Sequence, residues 1–303
     1  MRRRRYVQAM SALGVGGTAG CLGGGGGGRT LETDTSPSFD AELSDLVLAT
    51  ATTAYDTGLL DELNASFSDS LGIQVKTLVQ GTGAALRTAA NGDADVVIAH
   101  ARTSEDEFLR AGYGLNRREL MHNDFLVVGP ESDPAGVASV GNDPEAAFRR
   151  IAETKSLFLS RGDDSGTHLK EQTLWARSSA SPGERWYQAT GDGMGDTLRQ
   201  ASRRDAYTLV DRGTFSVMAD ENTLVAYVEG PLGDGPEILR NDYGVIVSNP
   251  ALHDVNYMGS MAYVGFLTGP VGQSIIRAFG EETLFVPDAL DEMPPFGQYV
   301  PRD

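Results

Sequence analysis

The chain has 303 residues and a mass of 32.2 kDa, which suits one large or two medium domains. It is 40% hydrophobic, so most of it should fold, yet no apolar run approaches the ~18 residues that a bilayer-spanning helix needs. The net charge is −17, from 25 Lys and Arg against 42 Asp and Glu, and only Lys76, Lys155 and Lys170 are lysines; this rules out a general nucleic-acid surface, which needs basic patches to displace counterions, and such acidity with so few lysines resembles proteins from concentrated salt.

The first predicted element is a targeting segment. Arg2 to Arg5 form a positive region, Tyr6 to Val15 a short and weakly apolar one, and Thr18-Ala19-Gly20 sets small residues before Cys21. That order describes a secretory signal over residues 1–20. The consecutive arginines resemble a twin-arginine export signal, and Ala-Gly-Cys resembles a lipobox, in which Cys21 carries lipid and becomes the first residue of the mature protein. Cys21 is the single cysteine, so no intrachain disulfide forms. Without the first 20 residues the charge falls to −21. Gly23 to Gly28 is a run of six glycines and residues 29–40 are mostly polar, so 21–42 reads as a lipid anchor with a flexible linker.

Folding is expected to begin near Leu43. Asp45 to Thr50 reads as a buried strand, Thr50 to Gly58 as a hydroxyl-rich loop, and Leu59, Leu60, Leu63, Phe67 and Leu71 recur at helical spacing. Ile73 to Val79 is a second strand, ending at Gly81-Thr82-Gly83 before a short helix, and Val96 to Ala99 is a third. Strand–helix–strand–helix–strand predicts parallel pairing with right-handed crossovers. Phe125 to Pro130 is a further strand, after which the order restarts. A helix covers 145–153, a strand 157–159 and a loop 161–167; a helix carrying Leu169 and Trp175 follows, then a helix opening at 191–195. Strands at 206–210, 224–228 and 243–247 and a helix over 271–279 complete the reading. The predicted fold class is α/β, with two lobes and a ligand cleft between them. One lobe comprises 43–128 plus 242–290 and the other 129–241, with a tail at 291–303. Loops at the carboxyl ends of such strands, and clefts between lobes, are where small ligands bind.

Several of these loops follow a strand, open a helix and are rich in Gly, Ser and Thr. A helix start carries unpaired N–H groups and about half a positive charge, glycine lets the backbone approach closely, and hydroxyls add donors; together they cradle an oxyanion. The sharpest example is Ser160-Arg161-Gly162-Asp163-Asp164-Ser165-Gly166-Thr167-His168, which adds a guanidinium. Simple capping by Ser165 or Thr167, with Arg161 paired to an acid, is the alternative for this loop alone. No Gly-x-Ser-x-Gly elbow accompanies Ser165 and His168, Gly81-Thr82-Gly83 lacks the lysine of a nucleotide loop, and the four histidines show no zinc spacing. Trp175 and Trp186 read as packing residues.

Five motifs carry a resemblance. They are 160–168, Gly-Asp-Ala-Asp-Val-Val-Ile-Ala-His at 92–100, Asn-Asp-Phe-Leu-Val-Val-Gly-Pro at 123–130, Thr-Gly-Asp-Gly-Met-Gly-Asp-Thr-Leu at 190–198 and Asp-Ala-Tyr-Thr-Leu-Val-Asp-Arg-Gly-Thr at 205–214. From Leu46 to about Pro287 the chain resembles the tungstate-binding proteins of tungstate ABC transporters, a periplasmic-binding-protein-like family. Where that family carries Thr-Thr-Thr-Ser in its first loop, this chain has Thr50-Ala51-Thr52-Thr53. The resemblance implies a type II two-lobed fold and a site shared by the lobes: Thr52, Thr53 and Thr82 from one, Arg161, Ser165 and Thr167 from the other. It implies a monomeric, extracytoplasmic receptor, held to the outer face of the membrane by lipidated Cys21, that captures tungstate and delivers it to an ABC permease. No catalysis, cofactor or resident metal is expected, tungsten being bound only as an oxyanion. The alternatives are a molybdate, sulfate or phosphate receptor, with Asp163 or Asp164 accepting the proton of a phosphate, or a hydrolase, a transferase or a sensor domain on the same scaffold.

Overall fold

Short apolar runs alternate with helical periods from residue 45 to about 110, and that alternation builds the first lobe. The computed structural model describes residues 45–183, 185–280 and 284–289. The signal, the Cys21 anchor, the linker and the 291–303 tail lie outside the described residues. In chain order the lobe begins with β1 (Leu46–Ala51), α1 (Thr52–Tyr55), α2 (Leu59–Leu71), β2 (Val75–Gln80), α3 (Thr82–Ala90), β3 (Val96–Ala99) and α4 (Arg102–Arg110). β1 pairs in parallel with both β2 and β3, as the order of elements predicts. The predicted loop at 50–58 differs in one respect: its centre winds into the single turn α1.

β4 (Gly114–Pro130) then runs for 17 residues and belongs to both lobes. Only its second half was legible. In its first half Arg117 breaks the apolar alternation; the side chain is nonetheless 1% exposed, because its guanidinium meets buried Glu105 at 2.7 Å.

The second lobe continues with α5 (Pro144–Thr154), β5 (Phe158–Ser160), α6 (Gly166–Ser178), β6 (Tyr187–Ala189), α7 (Met194–Arg203), β7 (Thr208–Asp211), α8 (Arg212–Val217) and β8 (Leu224–Val228). The chain returns through β9 (Arg240–Ser248) to α9 (Tyr257–Thr268), α10 (Pro270–Ala278) and β10 (Val286–Pro287). β9 lies antiparallel between β3 and β4, giving the order β10-β4-β9-β3-β1-β2 in the first lobe. The second half of β4 instead pairs with β7 and β8, while β5 and β6 form a small parallel pair. The change of partner falls between Asp124, opposite Arg240, and Phe125, opposite Asp211. That is four residues before the crossing expected at 129, and the return falls at Arg240.

Each lobe buries apolar side chains on both faces of its strands. In the first, Leu48, Phe67 and Tyr263 pack with α2 and α9 on one face, and Ala85, Val97 and Phe108 with α3 and α4 on the other. α9 was not predicted: its apolar residues surround it rather than forming one stripe, so it carries no helical period. In the second lobe Trp175 joins Phe148 and Phe158 at ring distances of 4.4 and 5.2 Å, and Trp186 packs on Trp175. Among the described residues no helix is long and apolar enough to cross a membrane.

Candidate functional site

Four helices point their starts toward the space between the lobes, because each follows a strand whose carboxyl end faces it. α3 and α7 begin after Gly81 and Gly193, neither of which offers a side-chain cap, so their first N–H groups remain available. α6 begins after Ser165, whose Oγ accepts the N–H of His168 at 3.3 Å, and α8 after Asp211, whose carboxylate accepts both the N–H and the hydroxyl of Thr214. The loop at 161–167 is therefore shorter than predicted, with Thr167 already in the first turn of α6.

The lobes touch through their glycines. A Cβ on Gly81 would lie 3.4 Å from Asp163 Oδ2 and 3.6 Å from Ser165 Cβ; one on Gly83 would lie 3.2 Å from the Asp164 carbonyl oxygen. A Cβ on Gly166 would lie 2.6 Å from the His100 ring, and one on Gly193 3.9 Å from Thr52 Cγ2. These contacts set the first loop and the α3 start, from one lobe, against the 161–167 loop and the α7 start from the other.

Within this junction several polar atoms are buried with no hydrogen-bond partner among the described residues. They are the hydroxyls of Thr52, Thr82 and Thr167, together with Nε and Nη1 of Arg161. Thr50, at the end of β1, adds another such hydroxyl. Arg161 is 2% exposed, and its Nη2 donates to Asp163 Oδ2 at 2.7 Å. Both readings of that arginine thus hold at once: it is paired to an acid, and two of its nitrogens are still unmatched. Leaving such donors buried and unmatched costs about 1–3 kcal/mol each, so their convergence calls for an acceptor-rich group. Arg212, the first residue of α8, is by contrast held by Asp124 at 2.7 and 3.0 Å and by Glu229 at 2.8 Å.

Of the six predicted residues, the structure places Thr52, Thr82, Arg161 and Thr167 with unmatched polar atoms at the junction. Ser165 is buried there as the α6 cap. Thr53 is buried too, but its hydroxyl is engaged, lying 3.3 Å from His100 Nε2 and accepting from the Tyr243 hydroxyl at 3.2 Å. Sequence reasoning missed His100, Asn241, Tyr243, Asn123 and Asp211, which join Thr53 in one buried network. His100 closes the 92–100 motif, but its partners are Thr53, Asn241 and Tyr243, far from it in the chain, so no local spacing marks them. Burial holds the His100 imidazole down at about 4 and pushes the Asp211 carboxyl up to about 6. His168 is structural: its Nδ1 accepts the Asp164 N–H at 3.0 Å and its Nε2 meets Gln172.

Two grooves flank the junction. One, of about 710 Å³, runs between α4 and α6 past His100. The other, of about 620 Å³, reaches Thr52 and is walled by Asp56, Asp61, Asp196 and Glu221, with Arg199 held between the last two.

This geometry has relatives. Residues 28–271 match the model of the PBP superfamily domain. A Haloferax volcanii protein named "Putative ABC transporter anion-binding protein" is 50% identical over 99% of this chain and 90% of its own length. The tungstate-binding protein of Peptoclostridium acidaminophilum is 40% identical over 80% of this chain and 86% of its own. The crystal structure of the tungstate ABC transporter from Geobacter sulfurreducens superposes with a TM-score of 0.70 at 39% identity, covering 78% of this chain and 98% of that one. The chain belongs to the PBP superfamily, in the family of the tungstate-binding proteins of ABC transporters.

Proposed function

We propose that this protein captures tungstate outside the membrane and delivers it to an ABC permease. The observation that carries the reading is the set of buried, unmatched donors converging from both lobes: three threonine hydroxyls and two guanidinium nitrogens, beside two uncapped helix starts. A tetrahedral dianion offers four acceptor oxygens, and its charge suits the positive ends of helices. Asp163 neutralises much of the Arg161 charge, so dipoles and hydroxyls carry a large part of the binding.

The chemistry favours a fully ionised anion over one that keeps a proton near neutral pH. A protonated oxyanion needs a buried acceptor. Of the two candidates, Asp163 already receives Arg161 Nη2 and the Ser165 N–H, and the Asp164 side chain is 76% exposed. The protein is read as a receptor that makes and breaks no bonds. Ser165 and His168, the nearest approach to a nucleophile and base, are tied into the α6 cap. Within this reading the receptor acts as a monomer, needs no cofactor, works in concentrated salt and is anchored by lipid on Cys21. The test is a calorimetric titration in concentrated salt with tungstate, molybdate, sulfate and phosphate. Tungstate is expected to bind most tightly, and at 100 times its Kd to stabilise the fold by ~2.7 kcal/mol. Preference for molybdate or sulfate would change the assigned ligand, and preference for phosphate would overturn the argument from the missing acceptor.

A further inference from the structure

The buried network behind the first loop has a fixed direction, and its origin is a carboxylate. Asp211 Oδ1 accepts the Thr214 N–H at 2.9 Å and is also approached by Asn123 Nδ2 at 3.5 Å. That contact turns Asn123 Oδ1 toward Asn241, whose Nδ2 donates to it at 2.7 Å and also to the Tyr243 hydroxyl oxygen at 3.1 Å. Asn241 therefore presents its carbonyl oxygen to His100 Nδ1, 2.9 Å away, and His100 must donate there. Its Nε2 is then bare. The Thr53 hydroxyl, 3.3 Å from Nε2, donates its one O–H to the ring and accepts from the Tyr243 hydroxyl at 3.2 Å.

The ring is also a mechanical seat. It stacks on Tyr243 with centroids 5.1 Å apart and planes 12° apart, and Gly166, the first residue of α6, lies so close that a Cβ there would come within 2.6 Å of it. His100 thus touches the first loop through Thr53, the return strand through Asn241 and Tyr243, and the opposite lobe through Gly166.

We propose that His100, as the neutral Nδ1–H tautomer, is the positioning residue of the anion site: it holds the first loop by accepting the hydrogen bond of the Thr53 hydroxyl at Nε2 and forms the surface on which the α6 start closes. The inference rests on the receptor reading above. Thr53 is then a fixed node beneath Thr52 and does not give its hydroxyl proton to the anion. The surroundings keep the ring neutral. Burial acts first and the charges of Arg161 and Lys170 in the second lobe act in the same direction, against the Asn241 hydrogen bond and the charge of Asp163. Arg102, Arg240, Glu107 and Asp242 also line the groove that runs past His100.

Two measurements test this. In the ligand-free protein labelled with nitrogen-15 on histidine, the His100 signals are expected to show a protonated Nδ1 and a bare Nε2 from pH 7 to 9, where Asp211 is ionised; a protonated Nε2 anywhere in that range overturns the assignment. Tungstate titrations of His100→Leu, Thr53→Val and the double variant are expected to show losses of about 10- to 100-fold for each single change. The double variant should be no more than about threefold worse than the weaker single, because both changes remove one device. His100→Gln, which keeps an acceptor near Nε2, should recover at least part of the loss, whereas His100→Asn should not. Independent, additive losses would mean that Thr53 meets the anion directly and would sink the proposal. If the unaltered protein binds no tungstate, the receptor reading falls, and the nitrogen spectrum still decides the state of His100.

Discussion

Replacing Arg161 with alanine tests the site most directly. The guanidinium is 2% exposed, with Nη2 on Asp163 and with Nε and Nη1 unmatched. Two charge-assisted hydrogen bonds to an oxyanion would contribute about 1.5–3 kcal/mol each, and truncating one member of a buried charge pair typically costs about 2–5 kcal/mol. A loss of about 3–5 kcal/mol in tungstate affinity is expected, roughly 10² to several 10³-fold. Arg161→Lys keeps the charge but not the planar fork and should fall between the two.

Fold stability should respond far less. Alanine removes the ion pair with Asp163, but it also removes two buried N–H groups that have no partner, and the Asp163 side chain is 19% exposed and can take up water. The two effects oppose each other, so a net change within about 2 kcal/mol is expected. If pairing with Asp163 were the whole role of Arg161, the pattern would invert. Stability would drop, affinity would hold, and Arg161→Ala combined with Asp163→Asn would restore the protein. Calorimetric titration with tungstate, alongside urea unfolding of each variant, separates the cases. An Arg161→Ala protein that binds within about threefold of the original, under ~1 kcal/mol, refutes the placement of the anion.

Further outcomes follow from the same geometry. Thr82→Val and Thr167→Val each delete one neutral donor and should weaken tungstate binding by ~1–2 kcal/mol; calorimetry that finds either unchanged removes that hydroxyl from the site. Glu171 is buried, accepts from Trp175 Nε1 at 3.0 Å and the Tyr187 hydroxyl at 2.8 Å, and burial pushes its carboxyl up to about 7. Because this folded-state value lies above the ordinary 4.5, the stability tied to the protonated group is full below pH 4.5 and is lost as pH rises through about 7. Glu171→Gln keeps the accepting oxygen and removes the titration, so at pH 8.5 it should be more stable by about 1–3 kcal/mol; lower stability in urea unfolding at that pH would contradict the argument. Tungstate association, followed by stopped-flow fluorescence, should quicken between 0.1 and 2 M salt as the acidic groove is screened, and slowing with salt would show that the anion takes another path. Cys21→Ser should shift the exported protein from the membrane fraction to the medium, an outcome that a retained variant would exclude.

The fold was legible wherever a short-range pattern reports directly on burial. β1, β3 and β8 read correctly to within a residue because their apolar runs are short and bounded by turn residues, and the parallel order followed from their alternation with helices. The first half of β4 was hidden by Arg117, which sits in the interior only because Glu105, twelve residues away, meets it. The site divides in the same way. Arg161, Ser165 and Thr167 share one loop with glycines and a helix start, so their chemistry shows in the sequence. His100 gives no such sign: its environment is assembled from Thr53, Asn241 and Tyr243, and those neighbours exist only once both lobes are folded. The hydroxyl of Thr53 was legible as a polar group in a polar loop, but its direction is set by a residue 47 positions away.

An anion receptor with a net charge of −17 raises an electrostatic question that the arrangement of the site answers. At an ionic strength of 0.1 M the Debye length is about 10 Å, so Asp56, Asp61, Asp196 and Glu221 around the groove beside Thr52 would repel a dianion on approach. Above 1 M it falls below about 3 Å, and surface carboxylates then act only on what touches them. The hydroxyls, helix starts and Arg161 are buried at the junction of the lobes, where mobile ions do not enter and screening is weak. Salt therefore suppresses the repulsion and leaves the attraction largely intact. Neutral donors suit this division further, since a threonine hydroxyl needs no counterion before the ligand arrives, whereas each added cation would need one. In the proposed site Asp163 fills that role for Arg161: the pair keeps a buried charge tolerable while Nε and Nη1 stay unmatched, and those are the two nitrogens that the Arg161→Ala titration tests.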